Sequence, residues 1–262
     1  MRYLHVYQTS GDLQFYHHDC YESRCVSLEQ MIRDAVKTHN ITKDFRFTVG
    51  ADDRPEQQFN FSTMNKQYHL AFPDFNFQAW PEVGIQSYTQ LIESYVNTTP
   101  ETNKAGWIGV AQSESRRVFV EQHADTEYSE AVVNNWIRSG DSDLSKTTPT
   151  YMSYQQQIDR WKYLIDFEGA GYSGRTKMLL HTPRIVFIVD RPYEEFWYEH
   201  IEPWKHYVPV ARDLSDLKEN HEKIESDVEL QAYIHDNQKQ FAQKYLTRAA
   251  ALEQISRMIN AL

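Results

Sequence analysis

The chain has 262 residues and a formal net charge of −10, from 27 Lys and Arg against 37 Asp and Glu. That balance argues against a nucleic-acid binder, which needs a basic face to displace counterions. No run of about 18 apolar residues occurs, so no membrane span is expected, and Met1–Tyr7 lacks the apolar core of a signal peptide. Cys20 and Cys25 are the only cysteines; read as free thiols in a reducing compartment, they and the missing leader point to the cytoplasm. His17, His18, Asp19 and Cys20 lie too close in sequence to converge on one tetrahedral ion. Aromatic residues make up 14 % of the chain, enough to build a core and also to line a carbohydrate site.

Arg2–Gln8 alternates as a strand, Thr9–Asp12 turns, and Leu13–Tyr16 returns. Ser27-Leu28-Glu29-Gln30 has the form of a capping box and predicts a helix to about Thr38. The strand Phe45–Gly50 ends directly in Ala51-Asp52-Asp53-Arg54-Pro55. Phe59–Pro81 is aromatic and irregular, which suits a binding loop, so Phe75, Phe77 and Trp80 are candidates to stack on a ligand ring, with core packing the competing reading. A helix follows at Ser87–Val96, and a buried strand at Ala105–Val110 runs into a loop and helix carrying Arg116 and Arg117.

Gly140–Thr150 has linker composition and marks a domain boundary. Beyond it, Tyr163–Phe167 is a strand, Glu168–Gly174 a glycine turn, and a helix starts near Arg175. Arg184–Val189 is a continuous apolar strand of the kind a doubly covered parallel sheet requires. A helix near Tyr193–Ile201, a strand at His206–Val210, a helix from Asp213 to about Ile224 and helical sequence from Val228 complete the chain. This alternation predicts an α/β protein of two facing domains, 1–145 and 146–245, with a terminal helix at 246–262 placed to return to the first.

The segment Tyr163–Leu180 carries the strongest chemical signal. Glycines at 169 and 171 let backbone approach a ligand, a helix start offers free N–H groups, and Ser173 and Arg175 add donors suited to phosphate. The Gly-Lys-Ser/Thr ending of a P-loop is absent. An ordinary glycine turn with a solvated Arg is the bland alternative.

Trp161-Lys162-Tyr163-Leu164-Ile165-Asp166-Phe167-Glu168-Gly169 and Tyr172-Ser173-Gly174-Arg175-Thr176-Lys177 resemble the signature of glycosyltransferase family 90. The likeness continues through Glu194–Tyr198, Pro203–Val210 and Arg212–Leu217 in the same order and spacing. The resemblance implies a GT-B-like fold, two facing Rossmann-like domains with the donor cleft between them. It also implies inverting transfer of a sugar, xylose or glucose, from a UDP-sugar to a hydroxyl on a glycan or glycoprotein acceptor, with no metal and no cofactor. Ser173, Arg175 and Gly171 would hold the UDP diphosphate, Glu195 is the aligned acidic residue, and Arg117 or Arg116 would be a second donor contact. The family's Arg-Gly-Ser strand end reads Trp107-Ile108-Gly109-Val110 here, without that arginine. Asp53-Arg54-Pro55 is similar to the family's Asp-x-Pro, making Asp53 the general base and Asp52 the second choice.

Two rival readings stand beside this one. A metal-dependent transferase would use Asp52 and Asp53 or Asp141-Ser142-Asp143, which has the Asp-x-Asp form of a metal-nucleotide site although it follows no buried strand; Glu194 and Glu202 match the acid spacing of some retaining enzymes by coincidence. A nucleotide- or glycan-binding module without catalysis is the alternative from another class.

Overall fold

The computed structural model describes residues 2–55, 57–134 and 152–262. Three antiparallel strands, β1 (Tyr3–Thr9), β2 (Asp12–His18) and β3 (Phe45–Gly50), form the first sheet in the order β2-β1-β3. Its inner face is set by alternation: Leu4 and Val6 on β1 and Phe45, Phe47 and Val49 on β3 are buried. Helix α1 (Glu22–Thr38) covers that face with Cys25, Leu28, Met31, Ile32 and Ala35, one stripe at helical spacing. It starts at Glu22, five residues before the expected capping box, and the Ser27 hydroxyl donates instead to the Ala79 carbonyl. The two expected free thiols are a Cys20–Cys25 disulfide that ties the entry of α1 to the end of β2. The ground for reading a reducing compartment from them is gone.

The second sheet is parallel and five-stranded: β4 (Thr102–Gly109), β5 (Ser129–Val133), β6 (Trp161–Asp166), β7 (Ile185–Val189) and β8 (Val208–Val210), in the order β5-β4-β6-β7-β8. The remaining helices are α2 (Tyr88–Glu93), α3 (Glu114–Gln122), α4 (Tyr154–Arg160), α5 (Thr176–Leu180), α6 (Leu217–Ser226), α7 (Val228–Tyr245) and α8 (Arg248–Asn260), of which α3 to α7 pack on this sheet. Along β6 and β7 the side chains divide cleanly. Tyr163, Ile165, Phe187 and Val189 pack with Phe119, Leu217 and Ile224 on one face. Leu164, Val186 and Ile188 join the core that contains Leu4, Val6, Val49 and Phe72 of the first sheet region. Burial of both faces is why these strands read as unbroken apolar runs.

Two domain-level expectations are corrected by this topology. β4 and β5 precede residue 145, yet they pair in one sheet with β6 to β8, so the chain does not divide there. The first sheet is antiparallel under a single helix, so one half, not two, is Rossmann-like. The presumed linker, 140–150, lies outside the described residues. The helix expected near Tyr193–Ile201 is a single 3-10 turn at Phe196–Glu199. At the chain's end, α8 packs on α1, with Arg248 paired to Asp34 and the Lys43 ammonium donating to the Asn260 carbonyl at 3.0 Å. Among the described residues, no helix is long and apolar enough to cross a membrane.

Candidate functional site

In an open parallel sheet, ligands bind outside the carboxyl ends of the strands where the strand order reverses. Here the reversal falls between β4 and β6, since β4 is flanked by β5 on one side and β6 on the other. The Arg175 side chain spans that point. Its Nη1 donates to the Ile108 carbonyl of β4 at 2.7 Å, its Nη2 to the Ile165 carbonyl of β6 at 2.9 Å, and its Nε to Asp166 at 3.0 Å.

Asp166, the last residue of β6 and fully buried, is the hub. Besides Arg175 it accepts from Ser173 Oγ (2.9 Å), Thr176 Oγ1 (2.6 Å) and Arg191 Nη1 (2.7 Å). Burial alone would raise its pKa, but the charges of Arg191 and Arg175 and the hydrogen bonds outweigh it and hold the carboxyl down at about 2. Arg191 lies just beyond β7 and is 5 % exposed; despite burial, Asp166 and the nearby tyrosine and glutamate oxygens keep it charged.

A third guanidinium completes the cluster. Arg116, in the first turn of α3, donates to the Val110 carbonyl at 3.2 Å and lies 5.6 Å over the Trp107 ring. Burial, then repulsion from Arg175, lowers its pKa to about 10, and its buried Nε has no hydrogen-bond partner among the described residues. Glu168 is already paired with Arg212 at 2.9 Å. Three arginines therefore cluster around one remaining carboxylate, Asp166, so guanidinium outnumbers carboxylate within the cluster.

The loop after β6 meets the loop after β3. A Cβ on Gly171 would sit 2.0 Å from the Asp53 carbonyl oxygen, so this backbone approach requires glycine. Arg54 Nε donates to the Ala170 carbonyl at 3.2 Å. Asp52 has both carboxylate oxygens occupied by Arg2, through its backbone N–H and its guanidinium, each at 3.0 Å. Asp53 gives only Oδ1 to Arg24, at 3.0 Å, and its side chain is 39 % exposed.

Several sequence candidates sit elsewhere than expected. The Ser173 hydroxyl and the Arg175 guanidinium face Asp166 and strand-end carbonyls, and α5 is only five residues long and buried. Arg117 is exposed and bonds the Gln112 carbonyl. Glu195 is 1 % exposed and lies 3.0 Å from Lys177, whose ammonium also bonds Asp74 at 3.1 Å; all three are sealed inside. Phe75 and Phe77 are core residues, 1 % and 0 % exposed, and offer no ring face to an acceptor; Trp80 is half-buried with its ring edge-to-face on Phe75. Asp141 and Asp143 lie outside the described residues, while Glu194 bonds Tyr68 and Glu202 bonds Lys205. Asp166 and Arg191 were not anticipated. The available signal is the Asp that ends the β6 run and the Asp190-Arg191 pair that follows the apolar run of β7.

The parallel sheet, the guanidinium cluster at its strand ends and the opposed Asp53 loop define an α/β protein. The model of glycosyl transferase family 90 matches residues 18–261, and the chain belongs to that family. It is similar to human protein O-glucosyltransferase 1, with 23 % identity over 92 % of this chain and 67 % of that protein. Against the Drosophila melanogaster O-glucosyltransferase rumi the identity is 22 % over 84 % of this chain and 59 % of that protein. Human protein O-glucosyltransferase 3 is 42 % identical over a 60-residue stretch, 23 % of this chain and 12 % of that protein.

Proposed function

We propose that the chain transfers a sugar from a UDP-sugar to an acceptor hydroxyl with inversion, using protein cations where other transferases use a divalent metal. Glucose is the first choice of sugar, because the similar proteins are named as O-glucosyltransferases. The observation that carries the reading is the excess of guanidinium over carboxylate at the switch point, directly beside the loop that presents Asp53. As the bond to the anomeric carbon breaks, negative charge grows on the diphosphate, and preorganised cations lower the barrier by stabilising that charge. Arg116, half-buried and held only by long hydrogen bonds from its terminal nitrogens to the Val110 and Phe167 carbonyls (3.2 and 3.5 Å), is the primary contact, and Arg175 and Arg191 set the potential around it.

A single displacement needs a base on the acceptor side. Asp53 suits that role better than Asp52, since Arg2 occupies both oxygens of Asp52 while Asp53 Oδ2 has no partner among the described residues. Ser173 and Arg175 act here through Asp166, fixing the loop at the strand end.

UDP release from UDP-glucose and UDP-xylose, with and without excess EDTA, tests the reading. Turnover that survives EDTA is expected. Arg116→Ala should weaken UDP binding by about 10- to 150-fold, the loss of one charge-assisted hydrogen bond. Activity abolished by EDTA and restored by manganese would overturn the metal-free part, and unchanged UDP affinity in Arg116→Ala would misplace the phosphate site.

A further inference from the structure

With Phe75 and Phe77 in the core, the aromatic residues that do reach solvent are concentrated on one surface. On the first sheet the residues facing away from α1 are Tyr3, His5 and Tyr7 on β1, and Tyr16 and His18 on β2. The outer face of an antiparallel sheet is ordinarily polar; this one carries an unbroken ladder of rings. Tyr3 stacks on its cross-strand partner His18 at 4.4 Å and 12°, and His5 lies parallel to its partner Tyr16 at 6.2 Å and 24°. His5 also meets Tyr3 edge-on at 4.7 Å and neighbours Tyr7 at 6.2 Å. Tyr7 and Tyr16 are 43 % and 59 % exposed.

One end of the ladder reaches the strand end that carries the Asp52–Asp53 loop. Tyr3 is paired with Gly50, the residue at which β3 turns into the Asp52–Asp53 loop. Tyr21, 49 % exposed, lies 4.2 Å from the Arg2 guanidinium that holds Asp52 and 5.1 Å from the Arg24 guanidinium that holds Asp53. The ladder thus runs from the end of β1 paired with Gly50 along β1 and β2 toward Tyr7.

We propose that this row is a binding track for a neutral oligosaccharide, the sugar chain that carries the acceptor hydroxyl; the proposal rests on the reading of Asp53 as the base. Aromatic faces pack against the C–H faces of sugar rings, and side chains such as Gln14 and Thr48 at the ladder's rim supply hydrogen bonds for hydroxyls. The charges bordering the ladder, Asp12 and Arg46, are of opposite sign, and the whole chain is acidic, which suits an uncharged ligand and not a single-stranded nucleic acid. Successive same-face residues on a strand are about 6.8 Å apart, so the rings contact neighbouring sugars in place of one sugar alone.

The test is isothermal titration of the full chain with xylohexaose, cellohexaose and maltohexaose. Wild type should bind at least one, and the Tyr7→Thr/Tyr16→Thr double variant should bind it about tenfold or more weakly. Threonine keeps strand propensity, and far-UV circular dichroism with a thermal melt checks the fold; Tyr16→Thr alone serves if the double variant melts early. Equal binding by variant and wild type overturns the proposal, as does a wild type that binds none of the three. Binding of a folded glycoprotein acceptor through the same tyrosines would give the face to a protein partner and also overturn it. UDP-glucose hydrolysis by wild type is scored separately: its absence with the track intact removes the donor reading alone.

Discussion

Replacing Asp166 with Asn keeps the size of the side chain and removes its charge, leaving Arg191 and Arg175 around a neutral amide. In the native protein Asp166 is fully buried and takes hydrogen bonds from both arginines, Ser173 and Thr176. Removing one partner from a buried ionic cluster typically destabilises by about 3–5 kcal/mol, because the remaining charge stays desolvated and uncompensated. For a chain of this size that corresponds to a fall in Tm of roughly 10 °C. The same carboxylate gives an independent reading from pH. Its pKa is about 2 in the fold against an ordinary value of 3.8, so it contributes stability that is present above pH 3.8 and lost as pH falls through 2. The gap is worth roughly 2 kcal/mol. Urea denaturation at pH 7 and between pH 5 and pH 2 measures both effects. An Asp166→Asn protein within about 1 kcal/mol of wild type, and with an unchanged acid limb, would refute the hub.

Asp53→Asn should lower transfer by about 10²- to 10⁴-fold with UDP affinity nearly unchanged, measured by turnover kinetics and calorimetry. Asp52→Asn should instead lower Tm more than rate, since it loosens Arg2; the opposite pattern would make Asp52 the base. Gly171→Ala places a methyl 2.0 Å from the Asp53 carbonyl, so the two loops must separate. Transfer should drop with little change in far-UV circular dichroism, and wild-type kinetics would show the loop contact to be dispensable. Burial pushes the Glu195 carboxyl up to about 8, with Lys177 opposing and Asp74 adding to the rise. The proton it holds contributes stability that is full below the ordinary carboxylate range and lost as pH rises through 8. Glu195→Gln should flatten that decline in urea melts between pH 5 and pH 9.

Four of the five parallel-sheet strands, β4 and β6 to β8, are legible in the sequence to within a few residues, as are the glycine turn at 169–171 and the family resemblance; β5 (Ser129–Val133) is not. Apolar runs such as Ile185–Val189 announce a strand covered on both sides, and glycine announces a close backbone approach, because each is a local consequence of residue type. What sequence periodicity does not carry is which element covers a face. Phe75 and Phe77 lie in an irregular stretch where a binding-loop aromatic and a core residue read alike; Tyr88 and the sequence-distant Phe196 close over Phe77 and decide for the core. The division at 145 followed composition, while β4 pairs with β6 through hydrogen bonds that composition cannot register.

The role of Arg175 shows the same limit at the level of one side chain. Its type and position beside a glycine turn were enough to expect a donor aimed at an anion. Its acceptors are the Ile108 carbonyl, 67 residues away in sequence, and Asp166. Arg191, which shares Asp166 with it, comes from the next strand end. The sequence alone determined which charges the chain has and that they close parallel strands. Only the tertiary structure decided which of them neutralise each other and which, like Arg116, meet carbonyls and no carboxylate, because pairing is a matter of distance and burial between segments that fold together from far along the chain.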